Sequence, residues 1–225
     1  LWREELGRVY LRRGWFHEAL TEFQTASSLQ PNEPRHHFSQ AVALDRLGKK
    51  EEALEALRRA LRLNPDYAAA YDLAGRLLEE KGRLPEAREL YRRAVEKAPR
   101  EALYPAHLAG LLEKLGAEAQ ALEALQEALR RKPDVPEWLA GMARLLWKLG
   151  RKEEALVAIA QAAALHPAET RYVARQAEYL AGLGRLEEAQ EVLLQALERW
   201  PEDAVLLHRH GLLLQRAGQV EPALE

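Results

Sequence analysis

The chain contains no cysteine, which removes disulfides, thiolate zinc sites and cysteine nucleophiles together. That absence fits a reducing compartment, and the cytoplasm is the expected location. Charge of one sign is lacking as well: 33 basic residues face 35 acidic ones for a net of −2, so nothing draws the whole molecule toward nucleic acid or an anionic membrane. No apolar run approaches the roughly 18 to 20 residues of a membrane span. The opening stretch, LWREELGRVY, is periodic and charged, unlike a signal peptide. A soluble chain with no membrane span is expected.

Patterns that carry chemistry are missing too. The only serines are Ser27, Ser28 and Ser39, and none has the flanking glycines of a nucleophile elbow. There is no glycine-rich phosphate loop. His36 and His37 are adjacent, and His208 and His210 are two apart, whereas two metal ligands on one helical face stand four apart; they read as solvated or helix-end histidines. Glu51 with Glu52, and Glu153 with Glu154, recur at one place in the chain's period, where they favour the start of a helix rather than acid–base work. Basic residues are mixed with acids and aromatics do not interleave with them, so nucleic-acid binding is not expected. Neither an enzyme nor a cofactor site is expected.

What the chain does have is periodicity. Of its 225 residues 48% are apolar, enough to bury a core. The glycines Gly14, Gly48, Gly82, Gly116, Gly150, Gly184 and Gly218 are spaced by 34 residues without a slip, as are the prolines Pro31, Pro65, Pro99, Pro133, Pro167 and Pro201. Two alanine columns keep the same beat, Ala19 to Ala223 and Ala26 to Ala196. Glycine tolerates the left-handed conformation that stops a helix, and proline cannot continue one. Each period is therefore two helices joined by a tight turn. Small alanines on the second helix let a neighbour approach, with Phe23, Leu57, Tyr91, Leu125, Ile159 and Leu193 between them. Pro34 and Pro136 fall in first turns, where a missing N–H does no harm. Such a pair has more apolar face than it can bury alone, so pairs stack.

These residues resemble the tetratricopeptide repeat family, whose 34-residue pattern has a small residue early in the first helix, Gly at the turn, Ala twice in the second helix and Pro at the end. Here the early small column is Gly7, Ala41, Gly75, Ala109, Ala143, Ala177 and Gly211. The family's Trp at the fourth position is replaced by Arg3, His37, Tyr71, Pro105, Leu139, Val173 and Leu207. The resemblance covers the chain as one array: six repeats at about 1–33, 34–67, 68–101, 102–135, 136–169 and 170–203, and an incomplete seventh at 204–225. It implies an all-α fold, a right-handed superhelical solenoid of stacked antiparallel helix pairs, whose concave wall is made by the first helices. It also implies a surface for docking other proteins. The family's chaperone-tail clamp uses paired asparagines on first helices. This chain has only Asn32 and Asn64, both in loops, so that use is not expected.

The family's groove positions are the second, fifth, sixth, ninth, twelfth and thirteenth of each repeat. In the first three repeats they carry mixed signs, among them Glu4, Arg8, Arg35, Asp45, Asp72 and Arg76. In the last three they carry Glu137, Arg144, Trp147, Lys148, Arg171, Arg175, Glu178, His208, Arg209 and Arg216, an excess of positive charge. Ala106, Gly110, Ala140, Gly141, Ala174, Ala181 and Gly182 thin the same wall, and Trp147 is expected to project at its edge. The residues singled out for partner binding are Arg144, Trp147, Lys148, Arg171, Arg175, His208 and Arg209. The expected partner is a protein segment, extended or helical, that is acidic and carries an apolar anchor. Two alternatives remain open. One is a scaffold that self-associates into homo-oligomers through Val220 and Leu224 at an uncapped C-terminal end. The other is a recognition arm of a larger enzyme or regulator, since the chain stops within a helical phrase and reads as a piece of a longer protein.

Overall fold

A computed structural model describes residues 2–218. Val220 and Leu224, invoked above for the open end, and Ala223 of the first alanine column lie outside the described residues. Among the described residues there are thirteen α-helices and no strand: α1 (Trp2–Arg12), α2 (Phe16–Leu29), α3 (Pro34–Arg46), α4 (Lys50–Leu63), α5 (Ala68–Glu80), α6 (Leu84–Lys97), α7 (Leu103–Lys114), α8 (Glu118–Arg131), α9 (Pro136–Lys148), α10 (Lys152–Leu165), α11 (Thr170–Gly182), α12 (Leu186–Arg199) and α13 (Ala204–Arg216). The all-α expectation holds, and Pro34 and Pro136 are the first residues of their helices.

Each column residue has a local task. All seven turn glycines have φ between 71° and 80°, a left-handed conformation that a side chain would strain. The turn closes by hydrogen bonds such as Gly48 N–H to Asp45 C=O at 2.9 Å and Lys49 N–H to Leu44 C=O at 2.9 Å, which occupy carbonyls left free at the helix end. At the other end, the N–H of Gln30, Asn64, Ala98, Lys132, His166 and Trp200 each donates to the column alanine four residues back. Proline follows one residue later.

The chain divides into two compact units, Leu1–Leu111 and Leu112–Glu225. In the first, Phe23, Leu57, Leu77 and Leu111 are fully buried. In the second, Leu145, Ile159, Leu193 and Leu206 are. Within a pair, the large residue of the second helix sits against the small residue of the first, and their sizes match. Where the first helix has Gly7 or Gly75, the facing residue is an aromatic ring, Phe23 or Tyr91. Ala41, Ala143 and Ala177 occupy the same column in repeats that carry Leu57, Ile159 and Leu193, all buried.

The first unit also corrects two readings of polar residues. His36 and His37 stand in the first turn of α3, at a helix end as expected, but are buried rather than solvated, and Glu4 is 5% exposed rather than a groove-wall charge. His36 donates from Nδ1 to Glu4 Oε2 at 2.8 Å, Ser39 Oγ donates to Glu4 Oε1 at 2.8 Å, and Arg8 lies 3.2 Å from the same carboxylate. A buried carboxylate is tolerated only with partners of this kind, and α3 supplies two of them.

A β-carbon on Gly7 would stand 2.5 to 2.9 Å from three ring atoms of Phe23, whereas one on Gly110 would meet nothing within 4 Å. Gly7→Ala is expected to destabilise the protein by about 1–3 kcal/mol through overpacking. Gly110→Ala should stabilise it by about 0.5–1 kcal/mol through lost backbone freedom in the unfolded chain. Urea denaturation of the two variants measures both, and equal effects would refute the size match.

Candidate functional site

In the second unit, α9 and α11 run beside one another with Ile159 of α10 beneath them, leaving an open cleft of about 290 Å³. The α9 wall is Glu137, Ala140, Gly141 and Arg144; the α11 wall is Arg171, Tyr172, Arg175 and Tyr179. Residues three or four apart on a helix share a face, so each row comes from one stripe of its helix. Small residues on α9 and the aliphatic floor make the bottom apolar, and the rim is charged.

Arg144, Arg171 and Arg175 therefore meet in one cleft. Trp147 does not line it. Its indole is half-buried and lies flat on the Tyr179 ring, centroids 4.3 Å apart and planes within 4°. Lys152 Nζ is 5.4 Å from the indole centroid. Gly182 belongs to this stack: a β-carbon there would come within 2.7 Å of the indole. Trp147 thus braces Tyr179, which forms the cleft wall. The small groove residues divide by role, since Ala140 and Gly141 open the cleft whereas Ala174 and Ala181 are buried by their own neighbours. Lys148 is exposed on α9 and His208 is exposed on α13; neither lines the cleft. Arg209, half-buried, lines a second crevice between α11 and α13.

The charge balance is closer to neutral than the last three repeats alone imply. Arg144 donates twice to Glu113, at 2.9 and 2.6 Å, and Lys148 lies 3.6 Å from the same carboxylate. Arg171 pairs with Glu169 at 3.3 Å and stacks over Tyr172; Arg175 and Arg209 flank Glu178 at 3.2 and 3.3 Å. With Glu137, four carboxylates face five cations, leaving about one net positive charge. Glu113 stands at the twelfth position of the fourth repeat, outside the last three repeats whose groove positions carry the excess of positive charge. Tyr172 and Tyr179 stand at the third and tenth positions of the sixth repeat, outside the six groove positions of the family, so the groove pattern does not single them out. Among the described residues, no group of three or more His, Asp or Glu is placed to hold a metal ion, and no helix is long and apolar enough to cross a membrane.

Comparison with known proteins follows the repeat. Models of the tetratricopeptide repeat match residues 4–68, 44–102, 112–179 and 171–203. No curated protein matches the chain in sequence. Among solved structures it is similar to PilF from Pseudomonas aeruginosa, at 22% identity over 92% of this chain and 94% of that one, with a TM-score of 0.74. It is similar to YrrB, described as a TPR protein with an unusual peptide-binding site, at 24% identity over 83% and 96% of the two chains, TM-score 0.70. The C-terminal part of a TPR repeat-containing protein from Cytophaga hutchinsonii aligns over 98% of this chain and 88% of its own at 14% identity, TM-score 0.79. These likenesses establish the fold class, an all-α solenoid of helical repeats.

Burial raises the Tyr179 phenol above its ordinary value of 10.0, and burial is also the first cause of the raised values of Tyr67, Tyr91 and Tyr104. A phenol that ionises later in the folded state contributes stability that is complete below the unfolded value and is lost as pH rises through the folded one. Stability should therefore hold steady through neutral pH and fall above about pH 10. Ultraviolet titration should find these four phenols ionising above the ordinary phenol value. Ionisation of these four at the ordinary value in the folded protein would refute the burial argument.

Proposed function

The chain belongs to the tetratricopeptide repeat family, and from that premise we propose that it is a non-enzymatic docking module that holds a segment of a partner protein in the cleft between α9 and α11. Stacked helical repeats present extended surfaces suited to this role. The observation that carries the reading is the combination in one cleft of an apolar floor, Ile159, a braced aromatic wall, Tyr179 on Trp147, and two arginines on the rim. Pre-organised aromatic and arginine groups are what binding hot spots are made of.

The proposed partner segment is acidic and carries an apolar anchor. Arg144 is held by a two-pronged bond to Glu113, whereas Arg171 and Arg175 each have one looser carboxylate at 3.2 to 3.3 Å on an exposed rim. Exposed pairs of that kind contribute at most about 1 kcal/mol, so an incoming carboxylate can take the place of Glu169 or Glu178 at little cost. With the charges around the cleft nearly balanced, the arginines orient the segment, and burial of the anchor supplies most of the affinity.

The test is recovery of the partner by the whole chain from cells that express it, repeated with variants. Ala140→Phe, which fills the cleft, should abolish retention. Trp147→Ala, which removes the brace behind Tyr179, should cost on the order of 2 kcal/mol. Arg171→Glu combined with Arg175→Glu should slow association and weaken its dependence on salt. A partner retained unchanged by all of these would move the interface to another face.

A further inference from the structure

A cavity of about 410 Å³ opens where the C-terminal parts of α10 and α12 meet α11. It uses a different face of α11 from the docking cleft, bordered by Val173 and Gln176 rather than by Arg171 and Arg175. Two small side chains leave the space. Ala163 of α10 is the smallest residue of its column, which otherwise reads Ser27, Leu61, Val95, Leu129 and Leu197. Val173 is smaller than Tyr71 and Leu139 at its own repeat position, both of which are buried. Trp200, which ends α12, adds an indole to the wall, where the other repeats have Gln30, Asn64, Ala98, Lys132 and His166. The small residue at 163 also leaves an amide without its acceptor. Gln40, the counterpart of Gln176 four repeats earlier, donates to the Phe23 carbonyl at 3.1 Å and to Ser27 Oγ, and Ser27 is the counterpart of Ala163. Gln176 lines the cavity, and among the described residues its amide has no hydrogen bond; Arg199, also on the lining, has no ion pair.

We propose that this cavity is a binding site for a small aromatic carboxylate, separate from the docking cleft. Pockets for small molecules are about 300–1,000 Å³, mostly apolar, with a few placed polar groups. Here Val173, Val192 and Pro167 join the alanines as apolar lining, and the polar groups are Gln176, Gln195, Glu198 and Arg199. The Trp200 indole favours a ring over an aliphatic chain of equal area, since aromatic pairs attract beyond the apolar area they bury. The charge of the ligand follows from the polar groups. Gln195 already donates to Glu191 at 3.2 Å, and Glu198 also borders the outer face of α12 beside Glu187 and Glu191, so an anion is repelled from that side. Arg199 is the one cation on the lining, and a guanidinium fork matches a carboxylate through two parallel N–H bonds. Gln176 offers amide donors and an acceptor to a polar substituent of the ring.

The probe is para-trifluoromethylbenzoate, followed by fluorine NMR as the whole chain is added. Its resonance should broaden on binding. Ala163→Leu, which gives this repeat the side chain found at Leu61, Leu129 and Leu197, should fill the space and abolish the broadening, with stability to urea equal or higher. Arg199→Gln, at an exposed position, should weaken binding about tenfold. The uncharged para-trifluoromethylbenzyl alcohol should bind the unaltered chain and Arg199→Gln alike. Ala140→Phe, in the docking cleft, should leave binding of the benzoate unchanged. No broadening, or broadening that survives Ala163→Leu, would overturn the proposal. Loss of binding in Ala140→Phe would overturn it as well, by placing the probe in the docking cleft, and would leave the docking reading standing.

Discussion

The fit between one small and one large side chain in each helix pair governs the rest of the structure. A first helix can lie close on its partner only if its small column residue leaves room for the large residue opposite, and close approach is what buries the alanine columns. The match is graded: glycine faces the Phe23 and Tyr91 rings, and alanine stands in the repeats with leucine or isoleucine. Interiors packed at crystal-like density transmit a change of one methyl group, so the column is a constraint on spacing as well as a contribution to stability. The turn glycines and closing prolines decide where helices end; the small–large fit decides how far apart they lie.

The candidate cleft is a consequence of the same constraint. Ile159 is the large residue of its pair, and its buried side chain is also the floor on which a ligand side chain would rest. Opening the cleft required only that Ala140 and Gly141 on α9 be small. Closing its far wall required that Tyr179 be held still, which the Trp147 indole does by stacking and Gly182 permits by having no side chain. The charges around it are largely self-neutralised, so the surface avoids the non-specific attraction that a bare arginine cluster would exert.

Helix boundaries, turn geometry and the stacking faces were legible because each rests on a residue whose backbone or volume has one structural use: Gly48 at a left-handed turn, Pro136 at a helix start, Ala60 at a close contact. The polar residues were harder to read. Glu4 stands where a carboxylate ordinarily meets solvent, and its burial depends on His36 and Ser39 one repeat later. Trp147 looked like a projecting anchor because its stacking partner, Tyr179, and the vacancy at Gly182 belong to the following repeat. Glu113 cancels charge on Arg144 and Lys148 from the preceding repeat. In each case the deciding contact joins successive repeats, and a single column read along the chain does not register it.

Ile159 is the only isoleucine in the chain, so a protein labelled with carbon-13 at isoleucine δ1 methyls gives a single methyl resonance, sited at the floor of the cleft. The most direct measurement is to follow that resonance as the partner segment is added. If the segment seats its anchor between α9 and α11, the peak moves or broadens in proportion to the fraction bound. A partner that binds the chain while the Ile159 signal stays unchanged would contradict the account.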